Sequence, residues 1–246
     1  MRTLRFRRFP SGLLVMLLTV SGGGAVVAQA DQAGNERYRL ERMAMVDLIE
    51  ARGVKDSATL AAMRAVPRHE YVPSESVNEA YGDHPLPIGY GQTISQPYIV
   101  AYMTEVLQPY PGMKVLEVGT GSAYQASVLS QIGCEVYSIE IFEVLATSAR
   151  ERLDRLGFDA INVRHGDGHF GWPDAAPFDA VIVTAAAGYI PPQLVDQLRP
   201  GGQMVIPVGS VYGIQNLILI RKDATGEVRT RNLLPVRFVP LLDGLR

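Results

Sequence analysis

The chain has 246 residues, 47% hydrophobic and 20% charged, which suits one large α/β domain or at most two small ones with a full core. A lone Cys134 excludes a disulfide scaffold, and 24 glycines and 16 prolines scattered without a period exclude a collagen-like or disordered chain. The net charge of -2 is uneven: the first thirty residues hold four arginines and no acid, which leaves -6 on residues 31–246. A mildly acidic body argues against a general nucleic-acid binder, which needs basic surface to displace counterions.

Residues 1–30 read as an address. A basic stretch (Arg2, Arg5, Arg7, Arg8) precedes the apolar run Leu13–Val20, and Ala28-Gln29-Ala30 supplies a small-x-small site. That order predicts a signal peptide cleaved before Asp31, hence a periplasmic or secreted protein. The apolar run is too short for a transmembrane helix, which takes about 20 residues, and Ser21-Gly22-Gly23-Gly24 breaks it, so no stable membrane insertion is expected after cleavage. Arg7-Arg8 only faintly suggests a twin-arginine signal, and no cysteine follows to carry a lipid. Translation starting at Met43 or Met45 would instead leave a cytoplasmic chain.

The next elements form a helical cap, over about residues 36–110. Leu40, Met43, Val46 and Ile49 fall at helical spacing, which predicts an amphipathic helix over Glu36–Arg52 that stops at Gly53. Asp56 or Ser57 can cap a second helix carrying Leu60 and Met63 and ending at Val66-Pro67. Pro73–Thr93, rich in Pro, Gly and Tyr, reads as a long loop, and a long loop inside a compact domain is usually functional. A further helix starts at Ser95 or Gln96, with Pro97 in its first turn.

From about residue 111 strands and helices alternate, the nucleotide-binding core of a single domain over 31–246. Strands are predicted at Val115–Val118, Glu135–Ile139, Ile161–Arg164, Asp179–Thr184 and Gln203–Pro207, with helices at Tyr124–Ile132, Phe142–Leu156 and Pro192–Leu198. Such alternation with short connections is the signature of a mostly parallel, doubly wound sheet. Leu217–Arg221 and Val228–Leu234 flank a turn-forming stretch and predict a C-terminal antiparallel hairpin.

Candidate chemistry gathers at the strand ends. In Val115–Tyr124 (VLEVGTGSAY) glycines follow a strand and precede a helix, allowing a sharp turn and close backbone approach to a ligand at a helix N-terminus. A dinucleotide site wants a third glycine where Tyr124 stands. Glu117, Gly119 and Gly121 instead fit the acid-x-G-x-G-x-G of an S-adenosylmethionine site, with Ala123 in the last place. Glu140 closes the second strand and can accept hydrogen bonds from ribose hydroxyls; otherwise it is a solvated strand-end acid. Asp167 suits an acceptor for an adenine amino group, with Gly168 letting the base lie close. His165 and His169 are four apart, but the glycines between them argue against a shared helix face, and no metal site is expected.

The chain resembles the protein-L-isoaspartate O-methyltransferase family in Met63–Pro73 (MRAVPRHEYVP), Gly91–Val100 (GQTISQPYIV), Val115–Gln125, Gly166–Ala186 and Val236–Leu241 (VRFVPL). The resemblance implies a Rossmann-like methyltransferase fold that uses S-adenosylmethionine. It also implies methyl transfer to the α-carboxylate of L-isoaspartyl residues in damaged proteins and peptides, and it puts Ser95 in the family's active-site serine position. Ala123 and Ile141-Phe142 depart from the family pattern beside the cofactor residues.

A carboxylate is already ionised at pH 7 and needs no base to attack a methyl sulfonium; it needs alignment. Thr93 and Ser95 offer hydroxyls that can bind and orient it. For Ser95 the competing role is a plain helix cap. Two other functions stay open at this point: an exported, non-catalytic peptide-binding relative of the same fold, and a small-molecule carboxylate methyltransferase.

Overall fold

The computed structural model describes residues 22–210 and 212–244, with side chains from residue 34 onward. Residues 2–20, which carry the basic and apolar parts of the expected signal peptide, lie outside the described residues. The chain divides into two compact units, 1–37 and 38–246. Helix α1 (Gly22–Ala51) starts well before the expected Glu36. Residues 25–38 lack an apolar period but are mostly Ala, Gln, Glu, Asn and Arg, and the single Gly34 costs only about 1 kcal/mol against alanine.

In the second unit α2 (Ser57–Ala65) is capped by Asp56, whose carboxylate accepts the Thr59 N–H at 2.7 Å. It ends at Val66 because the following Pro67 forces extended backbone. Residues 73–93, expected as a loop, hold a 3₁₀ turn over Ser74–Glu79 and a hairpin of β1 (Leu86–Gly89) and β2 (Gln92–Ile94). Its runs are too short to show alternation in the sequence. The reversal rests on Gly89, Tyr90 and Gly91, all left-handed at φ +90°, +54° and +69°.

Helix α3 (Pro97–Val106) follows, with Pro97 in its first turn and Gln96, not Ser95, as the cap residue. Neither side chain caps it. The free Tyr98 N–H is instead taken at 2.9 Å by Asp83 Oδ1, from the turn before the hairpin.

The core runs β3 (Lys114–Val118), α4 (Tyr124–Ile132), β4 (Glu135–Glu140), α5 (Glu143–Leu156), β5 (Asn162–His165), β6 (Phe178–Val183), α6 (Pro192–Asp196), β7 (Leu198–Val208), β8 (Gln215–Lys222) and β9 (Val228–Val236). The seven strands lie in the order β5-β4-β3-β6-β7-β8-β9, parallel up to β7 and antiparallel beyond it. This is the expected doubly wound sheet with its terminal hairpin. β7 starts earlier than expected because Leu198 pairs with Phe178 before an irregularity at the Pro200-Gly201-Gly202 stretch, and α6 is shorter for the same reason.

Successive strand residues feed opposite faces. Val115, Ile182 and Val205 pack with Met103, Leu129 and Leu153 from α3, α4 and α5. Leu116, Val181 and Met204 pack with Leu194 of α6 on the other face. After β3 the chain winds outward through β4 and β5, then returns to β6 on the opposite side. Ligands of open α/β sheets bind at that reversal, outside the carboxyl ends of the strands.

Candidate active site

A cleft of about 710 Å³ opens where β3 and β6 part, walled by the β3–α4 turn, the ends of β4 and β6, the β1–β2 hairpin strand that carries Thr93, and Val239–Leu242. The turn is built for backbone exposure. Gly119 has φ +99°, and a Cβ there would stand 2.4 Å from Thr184 Oγ1, so no other residue fits without displacement. Thr184 locks this geometry by donating to the carbonyls of Gly119 (2.6 Å) and Val118 (3.0 Å). Gly121 is also left-handed, at φ +52°, and packs under Ile88 of the hairpin. Ala123 holds φ +69° with its methyl fully buried, a conformation that costs a non-glycine residue about 1–2 kcal/mol.

Glu140 lines the cleft but is not a solvated acid: it is 4% exposed. Its Oε2 accepts Gly121 N–H at 2.8 Å and its Oε1 accepts Phe142 N–H at 3.0 Å, so one carboxylate fastens two βα turns. Burial pushes its pKa up, while these N–H donors favour the charged form. Each oxygen keeps lone pairs for a ligand hydroxyl.

Glu117 sits on the cleft floor, fully buried. Ser138 Oγ donates to its Oε2, and its Oε1 has no partner among the described residues. Burial, with Glu140 nearby, pushes its pKa up to about 8 despite the Ser138 bond. A protonated or half-charged acid with a free oxygen is suited to a polar or cationic ligand group.

The third strand end places its two candidate residues differently. Gly168 lines the cleft, but the space beside it belongs to Val118, whose Cγ1 would lie 2.4 Å from an added Cβ. Asp167 is not in the cleft wall. Its Oδ1 accepts from His169 N–H (2.9 Å) and Nδ1 (3.0 Å), and its Oδ2 accepts Gly244 N–H (3.0 Å). Burial pushes its pKa up, but these bonds outweigh it and hold the carboxyl below its ordinary value. His165 Nε2 donates separately to the Ile141 carbonyl at 3.1 Å. Among the described residues no three His, Cys, Asp or Glu side chains gather as a metal site.

Thr93 and Ser95 stand in the cleft wall and also in that of a second groove, of about 1100 Å³. Ile99, Ile214, Val236 and Phe238 make this groove apolar, and Arg237, which is exposed and has no ion pair among the described residues, gives it one cation. The Ser95 hydroxyl makes no hydrogen bond among the described residues. The sequence did not single out Thr184 or Arg237. Thr184 ends a parallel strand at the switch, a position that could have marked it, and Arg237 lies within the VRFVPL stretch without a pattern of its own.

Comparison with known proteins agrees with this arrangement. A curated relative from Syntrophobacter fumaroxidans, "Protein-L-isoaspartate O-methyltransferase 2", is 52% identical over 237 residues, covering 94% of this chain and 96% of its own. A solved protein-L-isoaspartate O-methyltransferase superposes with a TM-score of 0.76 at 28% identity, over 82% of this chain and 66% of that one. A beta-aspartate methyltransferase structure from Plasmodium falciparum, in complex with S-adenosyl-L-homocysteine, gives 0.72 at 26% identity, over 82% and 98%. Residues 40–246 match the model of one family throughout, and the chain belongs to the protein-L-isoaspartate(D-aspartate) O-methyltransferase family.

Proposed function

We propose that this chain transfers a methyl group from S-adenosylmethionine to the α-carboxylate of L-isoaspartyl residues in damaged proteins and peptides. The observation that carries the reading is the junction at Thr93 and Ser95, where the cleft at the sheet's switch point, lined by Glu117 and Glu140, meets a groove lined by Ile99, Ile214, Val236 and Phe238. When bound, S-adenosylmethionine supplies an electrophilic methyl on a sulfonium.

Glu140 is suited to accept from ribose hydroxyls, and the Gly119–Gly121 turn brings main chain close to the ligand. Glu117, with its free Oε1 on the cleft floor, is suited to the cofactor's amino group. The Ser95 and Thr93 hydroxyls donate to the substrate carboxylate and hold it in line. No base is required, because the carboxylate is ionised at neutral pH. Asp167 already serves His169 and the Gly244 N–H, so its role toward adenine rests on lone pairs left beside those bonds.

The test is methyl incorporation into an isoaspartyl peptide beside its normal aspartyl twin. An isoaspartyl residue routes the main chain through its β-carbon and displaces the free carboxylate, and a site built for alignment senses shifts on the order of 1 Å. Labelling of the isoaspartyl peptide alone is expected; equal labelling of both, or of neither, contradicts the proposal.

The same proposal includes export. The basic, apolar and small-x-small order of residues 2–30 supports a cleaved signal. Among the described residues no helix is long and apolar enough to cross a membrane. A mature chain beginning at Asp31 in the exported fraction is the expected result, and an intact N-terminus in the cytoplasm opposes it.

A further inference from the structure

Arg68, in the 3₁₀ turn Arg68–Tyr71, is completely buried. Its Nε donates to the Ala80 carbonyl and its Nη2 to the Ser95 carbonyl, both at 2.8 Å. The guanidinium carbon lies 4.8 Å from the centroid of the Tyr124 ring, and Nη1 has no partner among the described residues. Burial lowers its pKa to about 10, with Tyr124 and Asp83 opposing the drop, so the group stays charged at neutral pH.

A buried guanidinium without a bonded carboxylate is costly to desolvate, and two bonds to main-chain carbonyls offset that cost only in part. Side-chain burial alone therefore does not account for arginine here. Its contacts do. The next side chain, Gln96, donates through Nε2 to the Asp83 carbonyl at 2.8 Å, and Ser95 itself is held at its carbonyl by Arg68. Its hydroxyl alone is left free toward the two clefts. Tyr124, beneath the guanidinium, opens α4 directly after the glycine turn and lines the cofactor-side cleft.

We propose that Arg68 is a positioning residue for Ser95, fixing the main chain at Ser95 relative to the first turn of α4 so that the hydroxyl meets the substrate carboxylate in line. Arg68 lies in neither cleft wall and does not touch substrate. The inference rests on the reading of Ser95 as the substrate-orienting residue.

A double-mutant cycle tests it, using Arg68→Met, Ser95→Ala and the pair, with turnover of an isoaspartyl peptide, affinity for S-adenosylhomocysteine and Tm measured on each. Arg68→Met leaves the Ala80 and Ser95 carbonyls without that donor and is expected to lower Tm by a few degrees. As folded protein it should bind S-adenosylhomocysteine within about threefold of wild type and lose roughly 10- to 100-fold in kcat, the effect of slight misplacement. Added to Ser95→Ala it should cost less than about threefold more, because the two act through one group. Arg68→Lys retains the charge but not the planar fork and should fall between; if the methionine variant fails to fold, the lysine variant takes its place in the cycle. Wild-type kcat in the Arg68 variant overturns the proposal. So does an equal fold-loss in both backgrounds while Ser95→Ala is itself impaired, which leaves the Ser95 reading standing. Wild-type turnover in Ser95→Ala overturns the Ser95 reading, and this inference with it.

Discussion

The two sides of the cleft are held by different means. The sheet side, from Glu117 through the glycine turn to Glu140, is contiguous in sequence and built from main chain: left-handed glycines, a threonine locking two carbonyls, one carboxylate fastening two turns. The opposite side, Thr93–Ser95, hangs on a short hairpin; the Arg68 side chain holds the Ser95 carbonyl, and the Asp83 side chain, paired with Arg52, holds Gln96 and the Tyr98 N–H just beyond it. The first side cannot be altered without disturbing ligand and fold together. The second presents hydroxyls whose removal leaves the supporting bonds intact, so under the proposed role of Thr93 and Ser95 substrate alignment can vary independently of the cofactor site.

The sharpest way to break the sheet side is Gly119→Ala. The added Cβ meets Thr184 Oγ1 in a left-handed backbone. A loss on the order of 2–4 kcal/mol in stability is expected from strain and overpacking, together with loss of measurable S-adenosylhomocysteine binding. Urea denaturation and calorimetry check both, and a stable variant that binds normally would show that the turn is more pliant than its geometry implies.

Glu140→Gln is gentler and more specific. The amide keeps the size, but its NH₂ must face the N–H of either Gly121 or Phe142, so one bond becomes a donor–donor clash. Losing the charge that strengthens the proposed bonds to the ribose hydroxyls costs about 1.5–3 kcal/mol more, or roughly 10- to 150-fold in S-adenosylhomocysteine affinity by calorimetry. Unchanged affinity would reduce Glu140 to a fastener of the two turns.

Glu117 sharpens the comparison through pH. Its pKa is raised from 4.5 in the ordinary state to about 8 in the fold, so the folded protein holds the proton more tightly. Its contribution to stability is therefore full below about pH 4.5 and is lost as pH rises through about 8. In ligand-free protein the stability of Glu117→Gln relative to wild type should increase across that window. A difference that stays flat from pH 5 to 9 would place an ordinary carboxyl at this position.

The sequence disclosed the sheet side because its signals are local. Val115–Val118, the glycines and Glu140 sit at strand ends whose order follows from alternation alone, and the terminal hairpin is marked by its turn. What it hid was long-range. The hairpin β1–β2 is too short to alternate, and Pro87 reads as a strand breaker although a strand with one neighbour tolerates it. Asp83 as the cap of α3, Arg68 behind Ser95 and Thr184 against Gly119 are pairings between distant positions, which no periodicity encodes. Gly168 both lines the cleft and stands against Val118, and a sequence does not distinguish a glycine needed by a ligand from one needed by a side chain.

The division between the two sides is tested most directly by Ser95→Ala, with turnover of an isoaspartyl peptide, S-adenosylhomocysteine affinity and Tm read on one preparation. Because Asp83, not Ser95, caps α3, Tm should stay close to wild type. Cofactor-product affinity should also hold, while kcat/KM falls by roughly tenfold or more, the loss expected when an aligning contact in the transition state is removed. Wild-type turnover in a stable, ligand-competent Ser95→Ala would contradict the account and shift substrate alignment to Thr93 or Arg237.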